Sequence, residues 1–181
     1  MLLPFGKREH RIPAVSNAVQ SCYNQTKRGD DMNKWDQRFM EMARLIAGWS
    51  SCYRKGRSIG AVIVKDKRIM TTGYNGAPAG IKTCRERGEC LRDKLNIPSG
   101  THAETCYAIH AEQNAIIQAA KLGISVDGAT LYCTHQPCSV CAKMIVNVGI
   151  KRVIYEHSYP DPFTLELFNE ADVKMEPYTE D

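Results

Sequence analysis

The chain has 181 residues, 43% hydrophobic and 24% charged, with a formal net charge of +4, which fits one folded domain and excludes collagen-like, coiled-coil or disordered chains. The cation excess is too small and too scattered for a dedicated nucleic-acid binder, and no apolar run approaches the ~20 residues that cross a bilayer. The opening MLLPFGKREH has only a short apolar stretch before its charges, which reads against a secretory signal and for a cytoplasmic protein.

Residues 1–31 show no sustained period and are rich in polar and breaker residues, so they read as a loosely ordered extension ahead of a domain at 32–181. Trp35, Phe39, Met42, Ile46 and Trp49 then recur at helical steps, with Asn33 placed as the N-cap. IGAVIVK (59–65), the turn Asp66–Lys67 and RIMTTGYN (68–75) predict a hairpin. Residues 76–106 are punctuated by Gly and Pro and lack periodicity, an unusual length of loop unless something pins it. HAEQNAIIQAAKLG (110–123) predicts a helix closed by Gly123, ATLYCTH (129–135) a strand, and CSVCAKMIVNVG (138–149) a second helix closed by Gly149. KRVIYE (151–156) reads as a strand, PFTLELFNEA (162–171) as a helix and DVKMEP (172–177) as a last strand. This order predicts an α/β fold of three layers, αβα, around a mixed sheet of about five strands.

Eight cysteines are the compositional outlier: Cys22, Cys52, Cys84, Cys90, Cys106, Cys133, Cys138 and Cys141. In a reducing compartment, clustered Cys near His reads first as a metal site. Cys22, in the polar leader, and Cys133, in an apolar strand, read instead as small hydrophobes. His110-Ala111-Glu112 opens one predicted helix and Pro137-Cys138-Ser139-Val140-Cys141 opens the next. A Cys-x-x-Cys at a helix N-terminus aims two sulfurs at one ion, and the helix dipole favours their thiolate form. With His110 as third ligand the fourth tetrahedral position stays open, as in a catalytic rather than a structural zinc. Such a zinc lowers the pKa of bound water to ~7. Glu112 is near enough to carry a proton without binding the metal. The blander alternative is a structural site with an incidental Glu and Pro.

H-x-E followed by P-C-x-x-C is the signature of zinc-dependent nucleobase deaminases. Together with Gly73-Tyr74-Asn75-Gly76-Ala77-Pro78-Ala79-Gly80, His110 to Ile116 and the tail around Tyr159, it makes the chain from about Asn33 to Pro177 resemble the cytidine deaminase superfamily, and within it the deoxycytidylate (dCMP) deaminase family. The resemblance implies a cytidine deaminase-like fold and hydrolysis of dCMP to dUMP and ammonia, supplying dUMP for thymidylate synthesis. Zinc-activated water would attack C4, with Glu112 passing protons to N3 and the leaving amine. It also implies a homo-oligomer, a hexamer, with dCTP and dTTP as effectors. The alternatives are a deaminase of another cytosine nucleoside or nucleotide, and a non-catalytic scaffold of this fold associated with DNA uptake. The retained Glu112, which a scaffold does not need, speaks against the latter.

Cys52, Cys84, Cys90, His102 and Cys106 surround the irregular stretch, and a four-ligand zinc there would clip the loop to the end of the first helix. The resemblance implies such a second, structural zinc in some relatives. Cys52, Cys84, His102 and Cys106 are the favoured set, Cys90 the substitute, and unligated thiols the alternative. On the substrate side, Asn75 follows a strand among glycines that admit close backbone approach. The resemblance assigns it to the sugar, and an Asn in the left-handed conformation at a tight turn is the alternative. By the resemblance Tyr159 matches a tyrosine that the family places near the substrate, and an ordinary surface aromatic is the alternative. Arg54, Lys55 and above all Arg57 are candidates for the phosphate, although a short basic run is usually only a solvated face.

Overall fold

The computed structural model describes residues 34–98, 101–159 and 161–179. The predicted extension at 1–31 and the Asn33 cap therefore lie outside the described residues. Five strands form one mixed sheet in the order β2-β1-β3-β4-β5: β1 (Gly60–Lys65), β2 (Arg68–Tyr74), β3 (Thr130–His135), β4 (Arg152–His157) and β5 (Lys174–Pro177). β1 runs antiparallel to β2 and β3, and β3, β4 and β5 are parallel. Helix α1 (Lys34–Ala47) covers one face; α4 (Ala111–Leu122), α5 (Ser139–Asn147) and α6 (Pro162–Glu170) make up the other layer. This is the three-layer αβα arrangement that the element order predicts.

The central strands read as continuous apolar runs because both faces are covered. Val62, Val64, Tyr132 and Ile154 meet Phe39, Met40, Ala43 and Ile46 of α1, while Ala61, Ile63, Leu131, Cys133 and Val153 meet Ala111, Ala115, Ala142, Ile145 and Phe168 of the opposite layer. Two glycines let helices approach. A Cβ on Gly60 would run into the backbone of Ala43 and Ala47, and one on Gly73 into Ala111 and Ala115 at the start of α4. The hairpin turn Asp66–Lys67 has φ of 49° and 60°, the paired positive values of a type I′ turn.

The inward face of α1 differs from the predicted one. Phe39 and Ile46 are buried as expected, but the stripe is completed by Asp36, Met40, Ala43 and Ala47, with Trp35 and Met42 half-buried. Trp49 lies beyond the helix end, is 59% exposed, and meets Tyr74 edge-on. Asp36 is stable in the core because Tyr132 Oη donates to it at 2.6 Å and the Arg152 guanidinium at 2.9 and 3.2 Å. Arg152 also donates to Glu176 at 2.6 Å, so one network ties α1 to β3, β4 and β5.

The stretch read as irregular holds α2 (Cys84–Arg87), α3 (Leu91–Lys94) and a 3₁₀ turn at Ala103–Thr105. Thr83 and Glu86 form a capping box at the start of α2. Buried Arg92 donates to the carbonyls of Pro98, Thr101 and His102, which folds the segment back on itself. Arg54 pairs with Asp93 and joins the segment to the residues after α1.

Candidate metal centre

His110 is the N-cap of α4 and Cys138 the N-cap of α5, both with extended backbone. The local sequence sets this up. Gln113 Oε1 accepts the His110 N–H at 2.9 Å, and Gly73 lets the start of α4 settle against β2. His110 Nδ1 lies 3.5 Å from Cys138 Sγ and 3.3 Å from Cys141 Sγ. Zn–S and Zn–N bonds of about 2.3 and 2.0 Å in a tetrahedron give an S···N edge of about 3.6 Å, so the donor set and its spacing fit one zinc. Among the described residues this is the one group of three metal-binding side chains whose donor atoms all fall within 4.8 Å of one another.

The electrostatics suit that ion. Hydrogen bonding to Cys141 and His110 draws the Cys138 thiol down to about 4, so it is a thiolate at neutral pH. The proton is held on Cys141, pushed well up by its bond to Cys138 and by burial. The bond to Cys138 likewise raises His110, outweighing its burial. Glu112, on the first turn of α4, is 4% exposed. Burial raises its carboxyl, while the charge at His110 and a hydrogen bond with Cys141 pull the other way. Cys133 is fully buried, in line with its reading as a small hydrophobe.

The substrate-side residues gather where β1 begins and β3 and β4 end. Asn75 is 8% exposed and works as a strap: its Oδ1 accepts from Ile59 N at 2.8 Å and its Nδ2 donates to Arg57 O at 2.7 Å. Its φ is not positive, which removes the left-handed turn reading. One amide hydrogen and one lone pair remain for a ligand. Arg57 is exposed, and its charge helps to hold His135 below the usual histidine range, after burial and the neighbouring His157. His135 and His157 face each other edge-on with ring centres 5.0 Å apart. The sequence points to neither histidine, because a lone His at a strand end carries no spacing signal. Tyr159 is half-buried and its N–H donates to Gln136 Oε1 at 3.2 Å. Arg54 is engaged with Asp93, and Lys55 is exposed.

The second constellation comes together in part. Cys52 is raised by burial and by the neighbouring Cys106 and Cys90, and Cys84 by burial and by Cys106, Cys52 and Cys90. The four sulfurs thus share one neighbourhood without closing to the spacing of the first site. The structure does not bring His102 to them. Its side chain is 69% exposed and its Nδ1 lies 3.0 Å from Glu104 Oε1.

The family model of the cytidine and deoxycytidylate deaminase zinc-binding region matches residues 33–157. The chain is 42% identical to ComE operon protein 2 of Bacillus subtilis, over 78% of this chain and 70% of that protein. It is 41% identical to the deoxycytidylate deaminase of Mycobacterium phage D29, over 67% and 93%. With the deoxycytidylate deaminase of Schizosaccharomyces pombe it shares 36% over 90% of this chain, but only 52% of that longer enzyme. The dCMP deaminase of cyanophage S-TIM5, solved with dCMP and dUMP, superposes with a TM-score of 0.63 at 33% identity, covering 78% of this chain and 95% of that one. With its His/Cys/Cys site in place, the chain belongs to the cytidine and deoxycytidylate deaminase zinc-binding family.

Proposed function

We propose that the protein is a zinc-dependent hydrolase that converts dCMP to dUMP with release of ammonia. The observation that carries this reading is a buried carboxylate, Glu112, two residues from His110 and beside a His/Cys/Cys triad with the spacing of a zinc site. The likeness to the cyanophage enzyme, solved with dCMP and dUMP, supports the choice of nucleotide.

His110 Nδ1, Cys138 Sγ and Cys141 Sγ would hold the zinc, which when bound supplies Lewis acidity and a water of lowered pKa. Glu112 does the proton work. Burial raises its carboxyl, and it can take one proton from water and give it to N3 of the base, then take the second from the hydroxyl added at C4 and pass it to the departing amine, which leaves as ammonia. Its buried position keeps bulk water from competing for that proton. Asn75 offers an amide hydrogen to the sugar, Arg57 its exposed guanidinium to the phosphate, and Tyr159 borders the same rim. The Asn75 strap sets the backbone of residues 57–59 and so places Arg57.

Cys52, Cys84, Cys90 and Cys106 would hold a second, structural zinc, with His102 outside the set. The support is their mutual influence and the outward turn of His102. A homo-oligomer, a hexamer, regulated by dCTP and dTTP and working in the cytoplasm belongs to the same reading and rests on family resemblance. The competing reading is a non-catalytic scaffold, since the Bacillus relative's name states no activity. Glu112 favours the enzyme. Ammonia release from cytidine, dCMP, dCTP and a cytosine-containing oligonucleotide, with Glu112→Gln as control, tests both. Turnover confined to dCMP supports the proposal. Turnover of another substrate reassigns the pocket, and none at all in zinc-loaded protein favours the scaffold.

A further inference from the structure

The turn that carries Cys138 and leads into Cys141, Pro137-Cys138-Ser139, is held from outside by residues from the end of β4 to the first turn of α6. Asp161 is the N-cap of α6, its Oδ1 accepting from Phe163 N at 3.1 Å and Thr164 N at 3.2 Å. Its other oxygen, Oδ2, accepts from Ser139 N at 2.8 Å. Ser139 opens α5, immediately after Cys138. One carboxylate therefore closes the N-termini of two helices, α6 and the helix that presents the thiols. Thr164, fully buried, adds a hydrogen bond from its Oγ1 to the Pro137 carbonyl at 3.3 Å. Upstream on the same segment, the His157 carbonyl accepts from Gln136 N at 2.9 Å, and Tyr159 N donates to Gln136 Oε1. The residues that lead into Cys138, and the one that follows it, are thus pinned at several points by a segment that supplies no metal ligand.

We propose that Asp161 is a positioning residue for the zinc site, fixing through the Ser139 N–H, and with Thr164 at Pro137, the direction from which Cys138 and Cys141 meet the ion. The inference rests on zinc being held by His110, Cys138 and Cys141. Partners outside the ligand set orient the ligands, and their loss typically weakens metal binding by about 10–100-fold. Here the partner binds the ligand's own turn. A helix start left without it can rotate, and rotation of α5 carries both sulfurs away from His110 together.

The two roles of Asp161 can be separated chemically. Asparagine is as good an N-cap as aspartate, so Asp161→Asn keeps the bonds to Phe163 and Thr164 through its single oxygen. Its NH₂ group then faces the Ser139 N–H, where a donor cannot replace an acceptor. The experiment is release of zinc from zinc-loaded protein to an excess of a chromogenic chelator, with the fraction missing from Cys138→Ser identifying the ions of this site. Asp161→Asn is expected to release that fraction about 10–100-fold faster than the unsubstituted protein, while its urea midpoint in zinc-saturated buffer stays near the original. Thr164→Val, close to isosteric, should speed release by a smaller factor and serves if Asp161→Asn does not fold. Release at the original rate from both variants overturns the inference while leaving the site in place. A fall in urea midpoint with unchanged release shows Asp161 to be a helix cap only, and overturns it too. A protein with no zinc that Cys138→Ser removes overturns the site reading itself.

Discussion

The two cysteine-rich regions of this molecule are built on different principles. In the first, His110 and Cys138 sit at the N-caps of regular helices packed on the same sheet face, and Cys141 follows one turn later. The protein core fixes the ligand directions, and the donor atoms stand at zinc spacing. In the second, Cys52, Cys84, Cys90 and Cys106 come from a connection and from single-turn helices, held by local devices such as the Arg92 clamp and the Arg54–Asp93 pair. There the sulfurs are neighbours but do not close. The contrast separates a site the fold makes from a site that would make its own fold. In the first case a metal adds chemistry to an existing arrangement; in the second it supplies folding free energy to a segment with little core of its own.

The largest test of that contrast removes a ligand from the preformed site. Cys138→Ser should abolish measurable deamination and remove about one zinc per chain, with little change in far-ultraviolet circular dichroism, because the core around α5 does not depend on the ion. A variant that unfolds would show that the first site, too, is a folding element. Next in size is Glu112→Gln, which keeps volume and zinc but cannot carry a proton. A loss of about 10²–10⁴-fold in kcat is expected, read as ammonia release at saturating dCMP. Turnover within tenfold of the unsubstituted protein would rule out the assigned proton carrier.

A third test uses the protons on the preformed site. His110 and Cys141 are raised, so they keep their protons to a higher pH than usual in the metal-free protein, whereas Cys138 is drawn down to about 4. Zinc must displace the protons on the raised groups, so affinity falls as the pH falls through the range in which they are bound. Below the raised His110 value about two protons should be released per zinc. Zinc affinity measured by chelator competition from pH 6 to 8 should therefore steepen toward the acid end. An affinity independent of pH would mean that the three side chains are not the ligands.

What could be read from the chain follows the same division. The hairpin, the helices at 111–122 and 139–147 and the triad they carry are legible because periodicity and capping are local, and a ligand at a helix start inherits a known direction. Asp36 was not legible as a core residue. Its partners Tyr132 and Arg152 lie 96 and 116 residues away, and an acidic residue in a first turn ordinarily faces water. Trp49 fits the helical period, but the helix stops at Ala47, so the periodic stripe in the sequence outruns the helix. Asp161 follows a proline and precedes another, which marks a helix start, yet nothing in the local sequence announces its bond to Ser139. His102-x-x-x-Cys106 has the spacing of two residues on one helical turn. The backbone at His102 is left-handed, with φ 46°, and a single 3₁₀ turn at Ala103–Thr105, rather than an α-helix, lies between the two residues.

That last difference supplies the smallest and most selective test. If the second zinc is held by four cysteines, Cys90→Ser should reduce bound zinc from about two per chain to about one. It should also lower the thermal midpoint by roughly 5–10 °C, the shift expected for a loss of about 2–3 kcal/mol at this chain length. His102→Ala should leave both quantities within error, because it removes only an exposed contact with Glu104, of the class worth about 0–1 kcal/mol. The pair discriminates because both residues lie in the same segment and only their relation to the other sulfurs differs. Cys90 is buried among Cys52, Cys84 and Cys106, and His102 faces water. The reverse result, zinc lost with His102→Ala and retained with Cys90→Ser, would mean that the loop closes on its metal by turning His102 inward. If neither substitution changes the zinc content, the four sulfurs are thiols gathered by Arg92 and the short helices alone, and the second region is ordered without a metal.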